Sequence, residues 1–226
     1  MALVQDDEVS AGAEPSIRES AGSQLLLVAK RLADVLGALV LLVLLAPVIA
    51  LIAIAIKVDS AGPVLFAHRR LGRNGVHFDC LKFRSMRTDA EHLLFEDDKL
   101  RHYYIANHFK IPAHLDPRVT RLGRFLRRSS LDEVPQLWNV VRGEMSLVGP
   151  RPIVALEAQH YGENLPLLLS VRPGLTGAWA VHGRNRLGYP QRASLELSYV
   201  REWNLAADVA ILLRTPWTVL SQRGSV

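Results

Sequence analysis

One cysteine, Cys80, stands in 226 residues. A lone thiol makes no internal disulfide and no multi-thiolate metal site, which suits a reducing compartment. Several familiar signatures are missing too. There is no Gly-x-Gly-x-x-Gly turn and no P-loop, so neither of those nucleotide sites is written in the chain. No Asp-x-Asp pair offers a metal-bound nucleotide-sugar site. No two histidines flank a glutamate at metalloprotease spacing, and no Gly-x-Ser-x-Gly elbow occurs. Linker-like composition is confined to residues 1–24, a small, polar, acidic stretch that reads as a disordered tail. Apolar types at 49% and charged types at 22% match the globular average, which excludes a wholly disordered or collagen-like chain.

What is present is unevenly placed. Lys and Arg number 27 against 22 acids, a net of +5. Residues 1–29 carry five acids and one base, a net of −4, which leaves +9 on the remainder. A basic body of that kind calls for an anionic partner: nucleic acid, a phospholipid surface or a phosphorylated substrate.

The longest apolar run is Val35 to Ile56, without a single charge. As a straight helix it reaches ~33 Å, enough for a ~30 Å hydrocarbon core. No face of it is polar, which argues against the core helix of a soluble protein. It starts too late and runs too long for a cleaved leader. Pro47 near its middle has no N–H and crowds the carbonyl of Val43. Lys30 and Arg31 precede the run and Lys57 follows it. The residues alone leave two arrangements open, a crossing helix or a hairpin that dips in and returns. Either puts the basic body on the cytoplasmic side. Such a membrane segment argues against a DNA-reading role. Asp34, one turn beyond Lys30 and Arg31, is expected to pair with either.

Further along, Val64 to Ala67 and Val76 to Phe83 read as strands around a Gly72–Gly75 turn, hence a β-hairpin. Thr88 to Ala106 reads as a charged helix. Arg118 to Arg128 reads as a basic amphipathic helix, with Arg118, Arg121, Arg124 and Arg128 on one face and Val119, Leu122, Phe125 and Leu126 opposite. That stripe suits either a solvated face or lipid headgroups.

The chemistry concentrates at Asp132-Glu133, set behind Arg127-Arg128. Locally, Ser130-x-x-Glu133 spells a capping box, and acids in a first turn offset the helix dipole. Pro135 disturbs that reading by removing a hydrogen bond early in the helix. The alternative is catalytic: an ionised Asp attacking an electrophilic phosphorus. A carboxylate is repelled by a diphosphate, so it needs cations nearby. Arg127, Arg151, Arg172 and a divalent ion can supply them.

Together these stretches resemble the bacterial sugar transferase family, the monotopic phosphoglycosyl transferases. The matching residues are Lys30-Arg31-x-x-Asp34 before the Pro-interrupted apolar run, Lys82-Phe-Arg84-Ser-Met86, and Ser130-Leu-Asp-Glu-Val-Pro-Gln-Leu-Trp-Asn139. Arg142 to Pro152, Arg172-Pro-Gly-Leu-Thr-Gly177 and Gly183-Arg-Asn185 complete the set, in the family's order. One departure is Gly177-Ala-Trp-Ala-Val181, where the family often has its Trp one position earlier.

The resemblance implies a mainly helical α/β protein. A re-entrant helix-break-helix over residues 25–59 would lead into a catalytic domain over 60–226, at the cytoplasmic face of a bacterial inner membrane. Larger members carry an N-terminal multi-helix region, so this chain resembles an isolated catalytic unit. The implied reaction moves a sugar-1-phosphate from a UDP-sugar to polyprenyl phosphate and releases UMP. Asp132 would be the nucleophile and form a covalent phosphosugar intermediate. Glu133 would assist it, the pair would hold Mg²⁺, and Arg127, Arg151, Arg172, Lys82 and Arg84 would bind substrate. The pathway type implied is the first membrane step of exopolysaccharide or O-antigen synthesis. A rival of another class is a membrane-tethered, anionic-lipid-binding scaffold with a merely structural acid pair.

Overall fold

The computed structural model describes residues 21–106, 111–112, 115–183 and 187–220. The first twenty residues of the expected tail, and Arg184 and Asn185 of the last motif, lie outside them. The chain opens with a 39-residue helix, α1 (Ala21–Asp59). It therefore begins four residues before the expected boundary. Pro47 lies inside it, and the helix continues past that residue without an interruption. A proline removes one backbone donor, and the neighbouring turns keep their own bonds.

A single stripe of α1 faces the protein. Asp34, Ala38, Ile52 and Ile56 are buried. Leu42, Leu45 and Ile49 continue the line between them. Their spacing of three or four is one helical face. The other faces stay bare, with Val43 73% and Leu51 68% exposed. A run this apolar, packed along one side only, presents the rest of its surface to something outside this chain, a membrane or another protein.

Both halves of α1 are fastened to the same body. In the first half, Lys30 reaches Asp208 at 2.6 Å and the Val148 carbonyl at 3.2 Å. Asp34 accepts from the Ser146 hydroxyl at 2.7 Å and the Leu147 N–H at 3.1 Å. The expected Lys30–Asp34 pair is present at 3.7 Å. At the far end, Arg84 donates to the carbonyls of Ser60 and Ala61 at 2.7 and 2.6 Å. A cation there meets the helix's negative pole and its unpaired carbonyls.

The expected hairpin is β1 (Leu65–Leu71) with β2 (His77–Phe83), antiparallel, Leu65 opposite Phe83. The charged stretch after it divides at Asp97 into α2 (Ala90–Glu96) and α3 (Asp98–Ala106). Next comes α4 (Arg121–Ser129), capped by Thr120, whose hydroxyl accepts from the Gly123 N–H at 2.9 Å. The basic helix is thus shorter than its pattern suggests. Arg118 falls outside it, buried and held by Asp116 at 2.8 Å through two nitrogens. Phe125, expected on the apolar side, is exposed.

A 3-10 turn (Leu131–Glu133) and α5 (Gln136–Arg142) follow. A short parallel pair then ties distant segments together: β3 (Ser146–Val148) with β4 (Gly174–Thr176), Ser146 opposite Gly174. Between them lies α6 (Leu165–Leu169); after them come α7 (Ala178–Val181), α8 (Gln191–Arg201) and α9 (Leu205–Leu220). The main core joins Ala38 of α1 to Phe78, Leu137, Val140, Met145 and Ile211. A second cluster sets Ile52 and Ile56 against Phe83 and Leu126. The long apolar helix and the body therefore share their cores.

Candidate active site

Close packing of α4 on the segment after β2 builds one side of the site. Any side chain at Gly123 would collide with the Ser85 carbonyl. That approach lets the Arg127 Nε donate to the Ser85 hydroxyl at 2.8 Å. The chain then leaves α4 through Ser130, whose φ of 58° lies in the left-handed region. This bend sets the next three residues at a new angle.

The expected capping box does not form. Ser130 makes no side-chain cap bond; it is the C-cap of α4, and only its carbonyl accepts from the Glu133 N–H, at 3.2 Å. A residue in the left-handed region does not aim its hydroxyl along the following helix as an N-cap does. Asp132 and Glu133 thus occupy a 3-10 turn of their own, ahead of α5.

Asp132 is 7% exposed. Burial, and next the neighbouring Glu133 charge, push its carboxyl up to about 6, against the pull of Lys82 and Arg127. At neutral pH it remains mostly ionised. Glu133 takes Lys82 of β2 at 2.8 Å. Burial holds the Arg127 guanidinium below its ordinary value, with Asp132 acting in the opposite direction.

Glu133 and Lys82 also form one wall of a shallow open cleft. Arg70, Arg151, Gln136 and Trp179 line the rest. Burial pushes the thiol of Cys80, beside them, up to about 11, which leaves it inert. Among the described residues no group of three or more His, Cys, Asp and Glu side chains converges as a metal site. Two adjacent carboxylates, one raised by the other, still suit Mg²⁺, which takes one or two carboxylates and completes its shell with phosphates and water.

The profile of a family described as bacterial sugar transferase matches residues 25–222. The chain belongs to the bacterial sugar transferase family. Among curated family relatives, it is 43% identical over 198 residues to the exopolysaccharide production protein ExoY of Rhizobium meliloti, covering 87% of this chain and 88% of that one. It is 42% identical to the UDP-galactose-lipid carrier transferase of Erwinia amylovora, across 87% of this chain and 41% of the relative. It is 40% identical to the undecaprenyl-phosphate galactose phosphotransferase of Salmonella typhimurium, again across 87% and 41%. The chain thus spans about two fifths of the length of the last two.

The family's arginines do not all meet at the acid pair. Arg127 and Lys82 act on Asp132, and Arg151 shares the cleft with Glu133. Arg84, expected at substrate, is 7% exposed and committed to the end of α1. Arg172 stands apart: its Nε donates to the Gly143 carbonyl at 2.8 Å, and its charged neighbours are Arg31, Arg73 and Asp34. Burial, then those two arginines, lower it from its ordinary value. Arg70 reaches the cleft without having been singled out by sequence, and Trp179 reaches it from the stretch where the chain departs from the family's spacing. Arg70 sits in a hairpin strand, where a basic residue carries no special pattern. Only the pairing of that hairpin with the Pro150–Pro152 segment brings it in, through Leu71 N–H to the Ile153 carbonyl at 2.9 Å.

Proposed function

We propose that this chain is a phosphoglycosyl transferase, moving a sugar-1-phosphate from a UDP-sugar to polyprenyl phosphate. The observation that carries the reading is Asp132: a buried, ionisable carboxylate with no side-chain donor among the described residues, flanked by Arg127, Lys82 and a cationic cleft. Its relatives' names, an undecaprenyl-phosphate galactose phosphotransferase among them, support the substrate classes.

In this reading an Asp132 oxygen attacks the β-phosphorus of the donor. The bond from that phosphorus to the bridging oxygen breaks, and UMP leaves with the electron pair. The phosphosugar stays on Asp132 as an acyl phosphate until an oxygen of polyprenyl phosphate displaces it. Lys82 and Arg127 offset the charge that gathers on the transferred phosphoryl group. Glu133 keeps Lys82 in place and takes any proton the lipid phosphate sheds. Asp132 and Glu133 are the residues that would hold Mg²⁺, which when bound neutralises phosphoryl oxygens. A scaffold would have no need of a carboxylate left in this state.

The same reading places the protein on the cytoplasmic face of the inner membrane. The buried stripe runs along α1 from Asp34 to Ile56, so the body lies beside the helix rather than below it. A helix upright in lipid would carry that charged body into hydrocarbon, at high cost. In this reading the helix bends at Pro47, enters one leaflet and returns, so both ends stay on one side and that cost is avoided. The pathway type is the first membrane step of exopolysaccharide or O-antigen-type synthesis, in line with the ExoY name.

The test is a screen of UDP-sugars for UMP release with polyprenyl phosphate in nanodiscs, joined to intact-mass analysis with donor alone. A phosphosugar adduct on wild-type protein, absent in Asp132→Asn, is the expected result. UMP release persisting near wild-type rates in Asp132→Asn would overturn the nucleophile assignment.

A further inference from the structure

The cleft holds more positive charge than its acid neutralises. Lys82 is balanced by Glu133 at 2.8 Å. Arg151 is not balanced in that way. Among the described residues its one hydrogen bond is from its backbone N–H to Glu196, at 3.1 Å. Its guanidinium lies over the Trp179 ring, 5.2 Å from the centroid, and its Nε is buried without a partner.

Arg70 lines the same cleft from β1. It donates to the Pro152 carbonyl at 3.1 Å and reaches Glu157 at 3.5 Å. The Pro150-Arg151-Pro152 segment is thus held on two sides. Arg70 grips the carbonyl after Arg151, and Glu196, itself 1% exposed and taking the Tyr161 hydroxyl, grips its N–H. Neither guanidinium can swing away freely, and neither can shed its proton in water. Burial, then the charge of Arg151, lowers Arg70 from its ordinary value. Burial, then the charges of Arg70 and Lys82 and to a lesser extent Arg151, lower His68 beside them. Arg70 also meets the His68 Nδ1 at 3.1 Å, so the unmet donor is the Arg151 Nε. A guanidinium with a buried, unpartnered nitrogen beside a second arginine at a cleft wall is stabilised most by an oxyanion there.

The geometry points to a second oxyanion subsite, formed by Arg151 with Arg70, that binds the phosphate of the departing nucleotide rather than the phosphoryl group attacked by Asp132. The identity of that ligand rests on the transfer reading above. When the bond to the transferred phosphorus breaks, the bridging oxygen keeps the electron pair, so the nucleotide phosphate gains negative charge. Arg151 is placed to receive it. Arg127, by contrast, does not line the cleft, and it acts on Asp132. The two phosphorus centres of one diphosphate are thereby divided between two sets of cations.

The experiment is calorimetric titration of the full chain in nanodiscs with UMP, uridine and inorganic phosphate, without donor sugar or turnover. Wild type is expected to bind UMP at least tenfold more tightly than uridine. Arg151→Gln should erase that difference, and Arg70→Gln should weaken UMP about tenfold. Arg70→Lys, which keeps the charge, covers the case in which Arg70→Gln unfolds, and should retain most of the affinity. Unchanged UMP affinity in folded Arg151→Gln overturns the subsite, even if UMP release from UDP-sugars stands. Loss of UMP affinity in Arg151→Gln with no donor turned over supports the subsite and removes the transfer reading. Inorganic phosphate bound as tightly as UMP overturns the assignment to the nucleotide.

Discussion

Two lysines in this protein each face two acids, and the two clusters are built differently. Lys30 meets Asp34 and Asp208 where α1 crosses β3 and α9. There the carboxylates have further donors. Ser146 and the Leu147 N–H serve Asp34; Tyr199 and Trp203 serve Asp208, at 2.7 and 3.2 Å. Lys82 meets Asp132 and Glu133, and only Glu133 is held directly. Asp132 stays buried beside a like charge, with its carboxyl pushed up to about 6. A satisfied buried cluster fastens one element to another. An incompletely satisfied one keeps free energy in reserve for a ligand, as sites for chemistry do.

Substitutions separate the two. The largest effect is expected from Asp132→Asn, which should cut UMP release about a thousandfold or more, as loss of a nucleophile does. The same change should raise the melting temperature at pH 7. The folded state holds the Asp132 proton more tightly than the unfolded chain does. Its contribution to stability is therefore present at low pH and is lost as pH rises through the ordinary carboxylate value to about 6. A neutral amide escapes that loss. Differential scanning fluorimetry at pH 7 checks it, and a lower melting temperature would place Asp132 with the fastening cluster.

Next is Asp208→Ala. It leaves Lys30 without its 2.6 Å partner. Removing one member of a buried pair costs about 3–5 kcal/mol. For a chain of this size that is a fall on the order of 10 °C in melting temperature. The protein that remains folded should keep its KM for donor. A wild-type melting curve would show that this cluster does not hold α1.

Lys82→Met should reverse that pattern. UMP release should fall about a hundredfold, in the range seen for loss of one charge stabiliser. The melting temperature should move little, because the pair is partly exposed, its side chains 24% and 28% accessible. A large fall in melting temperature with kcat intact would refute the division. The smallest effect is in pH. Below about 6 Asp132 is protonated and cannot attack, so kcat should drop about tenfold per pH unit on the acid side. A profile flat down to pH 5 would remove Asp132 from the rate-determining chemistry.

Much of this was legible in the chain itself, and the reason differs by residue. The apolar run announces α1 because a long uncharged stretch has few other fates. The hairpin is announced by its turn, and Asp34 by its spacing from Lys30. Asp132 and Glu133 stand out by their setting among arginines, although the local pattern equally spelled a helix cap. The fold decided between those readings by bending the backbone at Ser130. The length of the basic helix was overread, because Asp116 claims Arg118 and Thr120 starts the helix three residues later.

Sequence by itself determined what is local: an apolar helix, a hairpin, an acid pair, and a surplus of arginine. Periodicity, turn propensity and charge act over a few residues, so they can be read from order alone. Which arginines belong to the site was decided only by the tertiary structure. Arg84 went to the carbonyls closing α1, Arg172 to Gly143, and Arg70 from the hairpin to the cleft beside Arg151. Those choices follow from the parallel pairing of β3 with β4, from Gly123 pressed on Ser85, and from the hairpin joined to Ile153. Each contact links segments about thirty to eighty residues apart, where chain packing rather than neighbouring residues sets the distance.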